Sequence, residues 1–472
     1  MFTYSFSQVG IGTENPDASS ILDIVSAGNN KGILIPRMTL TQKNNINSPA
    51  EGLLLYQTDQ VKGLYVYINA NWKWIFSSVN SSTHVDINNT IAIGGVVSAT
   101  NSVAIGVNSL VSNTTGSKNT AIGYGALSTT TTVTGLTAMG YQALGANTSG
   151  VSNTAIGYES LSANTIGNNN TANGYQALKS NTVGNHNTAV GFLALTANVS
   201  GFYNTAIGYK SLLTNNTGTH NTAYGRETLR NNTGGDYNTA IGNAALYYNI
   251  GGNDNTAVGH EALITNTSGN NNIANGGLAM QLNQSGGENV ASGYMALRKN
   301  VSGNRNIAVG FQSLVENTAS YNTAIGWKAL DANTTGTYNT AIGYLADVAA
   351  NNLTNATAIG YNASVSASNK IRLGDANVTV IQGQVGYTSS SDRRLKKNII
   401  NTKYGLNTIL KIRPVDYQLK SNNLKQIGFI AQELKSLVPE AVNGIEGDLE
   451  KGEALGITYT LLIPILTKAI QE

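Results

Sequence analysis

The chain has 472 residues, of which only 11% are charged, against roughly 25% in a typical globular protein, and 52 are Gly. Low charge with many small and amide residues argues for repetitive backbone packing rather than disorder. A net charge of +3 with no basic stripe of interleaved aromatics argues against a nucleic-acid partner; the absence of Cys excludes disulfides and thiolate metal sites, and no apolar run approaches the roughly 20 residues of a membrane-spanning helix.

The chain opens MFTYSFSQVGIG, with Ser5, Phe6 and Ser7 forming a small-x-small pattern of the kind signal peptidases cut. Residues 1–13 are read as the remnant of a secretion signal, the competing reading being a first strand. Residues 14–84 form a small β module. GILIPRMT (32–39), GLLLYQTD (52–59) and GLYVYINANWKWI (63–75) are strand-like runs between polar turns. Preceded by QVGIGTENPDASSILDI (8–24), they resemble a leader module of secreted Bacteroidetes proteins, which implies secretion. Trp72 and Trp74 are expected in β-core or intersubunit packing, with a ligand platform as the alternative.

Residues 85–375 repeat one phrase. NTAIGYGAL at 119 returns as NTAIGYESL at 153, NTAVGFLAL at 187 and NTAIGWKAL at 322. The glycine of Ala-x-Gly recurs every 17 residues from Gly106 to Gly310, then at Gly326, Gly343 and Gly360. So short a fixed period predicts a solenoid with one coil per repeat. Ala stands two residues before each glycine, from Ala104 to Ala358, and Leu four residues after it, with Met280 the one swap up to Leu330. The Leu column predicts a buried ladder. Because residues i and i+2 of a strand share a face, Ala and Gly are expected on a bulk-free face that another backbone approaches. A thin single roll offers few large apolar groups per coil, so three rolls are expected to meet through these Ala/Gly faces. A second glycine ten residues on, as at Gly150, Gly167 and Gly184, follows an Asn-Thr pair and is expected to supply a positive φ in a turn. The one sixteen-residue repeat, ENTASY, lacks it, which places the deletion in the loop.

NSVAIGVNSL (101–110) and its descendants resemble the head repeats of YadA-like trimeric adhesins. That resemblance implies a left-handed parallel β-roll with three chains abreast. A calcium roll would need Gly- and Asp-rich turns, whereas these carry Asn and Thr. An ice-binding solenoid would present paired Thr columns, whereas one Thr column lies here beside Asn. His186 and His220 share a column and are read as surface-loop residues.

Residues 376–390 are a connector, and 391–472 a distinct segment. In TSSSDRRLKKNI (388–399), Ser391 or Asp392 is placed to cap a short basic helix. Behind it stand LNTILKIRPVDYQLK (406–420), QIGFIAQELKSLVPEAV (426–442) and ITYTLLIPILTKAIQE (457–472). In this order they resemble the self-cleaving intramolecular chaperone domain of phage tail spikes and endosialidases. The resemblance implies an α+β domain that trimerises, guides the folding of a β fibre and cuts itself off. It also implies a catalytic pair at Ser391 and Lys396, with cleavage between Ser390 and Ser391. A lysine of lowered pKa takes the serine proton in such pairs, and no His or third carboxylate is needed. The last helix, with Leu461, Leu462, Ile465, Leu466, Ala469 and Ile470, suits a helical bundle, although it stops at Glu472 where the family continues further.

Taken together, the sequence predicts a mainly β, homotrimeric, secreted or cell-surface fibre, with no cofactor and no metal. A cell-surface glycan or protein is the expected receptor class. The alternative is a phage or injection-particle tail fibre that binds or degrades glycans.

Overall fold

The computed structural model describes residues 9–15, 20, 22–25, 32–77, 102–386, 388–420, 423–447 and 454–472. The proposed signal remnant therefore lies largely outside the described residues, although Val9–Ile11 forms a strand parallel to Leu22–Ile24. The chain divides into two compact units, Met1–Ser98 with Ala104–Val107, and Ala99–Val103 with Asn108–Glu472.

In the first unit, the strand-like runs become a four-stranded sheet of Arg37–Met38, Leu54–Gln57, Gly63–Ile68 and Asn71–Ser77, in that order. Its first pair is parallel and the others antiparallel. Asn69 and Ala70 turn the last hairpin with φ of 50° and 60°, the geometry a two-residue hairpin demands. Thr39 and Gln42 form a reciprocal capping box on the short helix Leu40–Asn44. Trp72 and Trp74 do pack within the sheet: Trp72 meets the edge of Tyr67 at 5.2 Å, and Trp74 lies across from Tyr65.

In the second unit, every repeat contributes a three-residue strand such as Thr154–Ile156. Each pairs in parallel and in register with the strands before and after it: Thr154 with Thr171, Ala155 with Ala172, Ile156 with Asn173. The ladder runs on to Ile371–Leu373. The sixteen-residue repeat keeps this register, Ile307 pairing with Thr323. The missing residue is absorbed in the loop, where the carbonyl of Ala319 accepts the amide of Asn306.

The Ala column does not form a seam between chains. From Ala121 to Ala341 its side chains are fully buried inside the single coil, and the neighbours of Ala in each strand point outward. The glycine is required by the next coil of the same chain: a Cβ on Gly140, at φ +142°, would lie 2.2 Å from the carbonyl oxygen of Gly157. The bulk-free column is thus explained by stacking within one chain.

The second glycine also departs from expectation. Gly150 and Gly167 do not have a positive φ. They are glycines for space, since a Cβ on Gly167 would sit 2.4 Å from both Asn164 Oδ1 and the Gly184 carbonyl. The left-handed positions of the turn are instead two residues on, at Ser152, Asn169 and His186, and at the buried leucines, such as Leu161 at 48°. Left-handed backbone at Leu costs about 1–2 kcal/mol. Full burial of the side chain offsets it by about 1.5–3 kcal/mol, and the Leu161 N–H donates to Ala177 O at 3.0 Å.

Besides a column of small residues such as Ala143, Ser160 and Ala177, the rest of the interior is largely amide. One buried Asn column runs through Asn147, Asn164 and Asn181, and a second through Asn153, Asn170 and Asn187. Asn164 Nδ2 donates to Asn147 Oδ1 at 2.8 Å and to Gly167 O at 3.0 Å. In the second column the Asn170 backbone N–H donates to Asn153 Oδ1 at 2.9 Å, while Asn170 Nδ2 donates to Gly184 O at 2.9 Å. Buried amides are tolerated when their donors and acceptors are used, and repetition supplies the same partner in most coils, the exceptions being the Oδ1 atoms of Asn113 at the start and of Asn300 beside the sixteen-residue repeat. His186 and His220 join a surface stack with Tyr203 and Tyr237, the ring centroids 4.7–5.0 Å apart.

Candidate functional site

Beyond the last coil strand the chain is exposed over 376–386 and 388–401. Within this stretch one tight turn is ordered by its own side chains. Asp392 is extended, and its carboxylate accepts the Arg394 backbone N–H at 2.8 Å, capping the three-residue 3-10 helix Arg393–Leu395. The same carboxylate pairs with the Arg394 guanidinium at 2.7 Å. Those bonds to Arg394 hold the Asp392 carboxyl below its ordinary range. Of the two candidate caps, Asp392 is therefore the one used.

Lys396 follows as the C-cap, extended, with its N–H returned to Arg393 O at 3.1 Å. A 3-10 turn between two extended residues brings the side chains at 391 and 396 to one side. Lys396 Nζ donates to Ser391 Oγ at 2.6 Å. The two residues singled out in the sequence are thus in direct contact, in a geometry within hydrogen-bond reach for proton transfer between a nucleophile and a base. Ser390, on the other side of the candidate scissile bond, is exposed. So are Ser391 and Lys396. One chain therefore makes the contact without enclosing it. Arg394 was not anticipated; its signal is the Asp-x-Arg spacing, which places a cation beside the capping carboxylate.

The turn leads into a small core of Leu434, Val438, Ala441, Leu462 and Ile465, against which Tyr404, Ile412, Phe429 and Ile457 pack. Leu434 lies on the helix Ala431–Leu437, and Leu462 and Ile465 on the terminal helix Leu462–Gln471. Two antiparallel hairpins complete the segment, Val415–Gln418 with Lys425–Gly428 and Val442–Gly444 with Leu455–Ile457. The end of the chain is tied back: Glu472 Oε2 accepts the Leu406 N–H at 2.7 Å, and Lys468 Nζ donates to Thr402 O at 2.8 Å. That bond to Leu406 lowers the Glu472 carboxyl. The terminal helix buries Leu462 and Ile465 but leaves Ile463, Leu466 and Ile470 exposed along one face.

Residues 391–443 match the family model of the chaperone of endosialidase. The match begins at Ser391 and takes in Lys396. Residues 10–90 match the model of a phage tail like trimerisation region, which covers the N-terminal sheet. The chain thus carries a tail-fibre-like trimerisation region at one end, a chaperone domain at the other and a β-solenoid between them. No curated protein matches the chain. Among the described residues no helix is long and apolar enough to cross a membrane, and no group of three or more His, Cys, Asp or Glu side chains could hold a metal ion.

Proposed function

We propose that the protein is a homotrimeric fibre whose C-terminal domain aligns three chains during folding and then releases itself by Ser391/Lys396 autoproteolysis. The contact of 2.6 Å between Lys396 Nζ and Ser391 Oγ, at the first residues of the matched chaperone region, carries the reading. The exposed apolar face of the terminal helix supports it, since three copies of Ile463, Leu466 and Ile470 would cover one another in a bundle. Near-identical coils also supply a need. A slip by one whole coil sacrifices only the end pairs, so sequence alone guards register weakly, and fixing the chain ends first removes that error.

The chemistry balances with these two side chains and water. The Lys396 Nζ lone pair accepts the Ser391 hydroxyl proton as Oγ attacks the carbonyl carbon of Ser390. The amide nitrogen of Ser391 leaves as an amine, taking the proton back from the ammonium, and an ester joins Ser390 to Ser391 Oγ. Water then hydrolyses the ester, leaving a carboxylate on Ser390 and a free amino terminus on Ser391. Because one chain leaves the pair open to water, enclosure is assigned to the assembled trimer, which couples cutting to correct folding.

The match to a phage-tail region favours a tail fibre of a phage or injection particle over a cell-surface adhesin of the YadA-like kind. Either location is extracellular, and a surface glycan or protein is the receptor class that suits a rigid rod. The test is intact-mass analysis of the expressed full chain beside Ser391→Ala and Lys396→Ala. The wild type loses residues 391–472, and both variants stay whole. A wild type that remains uncut after trimer formation refutes the proteolysis and leaves a non-cleaving trimerisation domain.

A further inference from the structure

The residue after the coil glycine is aromatic in two blocks: Tyr124, Tyr141, Tyr158, Tyr175, Phe192 and Tyr209, then Tyr294, Phe311, Trp327, Tyr344 and Tyr361. Within each block the rings stack on their neighbours in adjacent coils, nearly parallel in the first with centroids 5.1–5.5 Å apart. The second block runs at 4.8–6.2 Å. The rings are nonetheless 37–64% exposed. Their faces cover each other, so what meets solvent is a continuous line of ring edges. Beside it runs the outward residue of each strand, mostly aliphatic as at Ile122, Ile156, Ile207, Ile325 and Ile342, with Asn173 and Ser292 its polar members within the blocks. Neither column carries a charge within the two blocks.

We infer that this edge-on aromatic stripe, with the aliphatic column beside it, is the seam along which copies of the chain pack in the fibre. The inference rests on the homotrimer reading and replaces the Ala/Gly seam that the single chain uses up internally. Three observations favour a second copy as the occupant. A sugar stacks on ring faces, and these faces are taken by neighbouring rings. The area is substantial: aromatic side chains of about 150–250 Å², somewhat under half exposed at eleven rungs, leave on the order of 1,000 Å² per chain, about 500 Å² toward each of two partners, and the column beside it adds to the roughly 800 Å² per partner that a standard interface buries. The trimerisation region, matched at residues 10–90, also precedes the first coils in the sequence, so copies gathered there would enter their coils in parallel.

The stripe also sets axial register. Between the blocks the column reads Arg226, Asn243, His260, Gly277, so six rungs, a four-coil polar gap and five rungs give each rod an asymmetric pattern. Copies in register bury ring against ring. A slip by one coil presses an aromatic rung of one chain against Arg226 or Gly277 of another, burying a charge or losing a rung.

The chain has no Cys, so single cysteines report one position each. In the full-length fibre, Tyr158→Cys is compared with Ser149→Cys, an exposed turn position in the same region. Sedimentation first establishes the oligomer, and maleimide labelling rates are then read on it. Tyr158→Cys is expected to label at least about tenfold more slowly than Ser149→Cys in the trimer, because the surrounding contacts exclude water and reagent, and equally fast in denaturant. The triple variant Tyr141→Lys, Tyr158→Lys, Tyr175→Lys is expected to lose rod association while keeping the β circular dichroism of the coils. A trimer in which Tyr158→Cys labels as fast as Ser149→Cys overturns the seam and leaves the trimer standing. A wild-type chain that sediments as a monomer overturns the trimer reading itself.

Discussion

Asn215 and Asn216 are neighbours of one residue type with opposite environments, and they isolate what the interior amides contribute. Asn215 is fully buried: its Nδ2 donates to Asn198 Oδ1 at 3.0 Å and Gly218 O at 3.0 Å, and its Oδ1 accepts from Asn232 Nδ2 at 2.7 Å. Asn216 is exposed. Asn215→Ala leaves Gly218 O served, because Asn204 Nδ2 also donates to it at 2.8 Å. It strips Asn198 Oδ1 of this donor and one Asn232 amide hydrogen of its acceptor. Two buried polar groups left unpaired at about 1–3 kcal/mol each give an expected local loss of about 2–6 kcal/mol. Asn216→Ala should stay within about 0.5 kcal/mol of wild type. A long repeat array does not unfold in two states, so a melting curve would blur the comparison. Native-state hydrogen exchange on the Leu212, Asn215 and Thr222 amides reads the opening of these coils directly. Equal exchange in the two variants would refute the claim that the amide columns hold the coils together.

Gly167→Ala and Gly150→Ala should both destabilise their coils although neither glycine has a left-handed backbone, because each new Cβ meets a carbonyl oxygen of the next coil at 2.4 and 2.3 Å; denaturant melts equal to wild type would show that the coils can spread to admit a methyl group. Asp347, at the end of the rod, has its carboxyl pushed up to about 6, first by burial and then by Asp331, against the pull of the Val348 and Ala332 N–H groups. The fold therefore favours its protonated form. This contribution is complete below the ordinary value of 3.8, fades as pH rises through about 6 and is gone above it. Asp347→Asn should raise the melting temperature at pH 8, by a free energy of up to about 3 kcal/mol, and leave it unchanged near pH 4, so a gain of equal size at both would refute the assignment.

Much of this architecture is legible in the sequence, because a seventeen-residue period with fixed Ala, Gly and Leu columns leaves little choice of register. The alternation of a strand gives parity but not sign: it separates Ala155 from its neighbours without saying which side is interior. Sign came from stacking, since Gly140 is pressed by Gly157 of the same chain. The amide interior was hidden for a different reason. Asn beside Thr and Gly reads as a turn in a single repeat, and only when Asn164 is placed under Asn147 does its side chain acquire a partner. Glycine at the turn was assigned to φ when the constraint at Gly167 is volume. At the candidate site, Ser391 and Lys396 are pointed to only by the family resemblance that the motifs behind them carry, and the turn between them follows from the Asp392 cap.

Because the interior asparagines bond within their own coil or to a coil beside it, the rod has no keystone. Removing residues 221–237 would bring Asn238 under Asn204, where Asn221 now sits, and Thr239 beside Thr205, with these interior amide and ladder bonds re-formed by like residues. Such a body can lengthen or shorten by whole coils, each step about 4.8 Å. Recombination between the repeated coding segments then acts as a ratchet on reach, altering how far the two ends stand apart while leaving both ends unchanged.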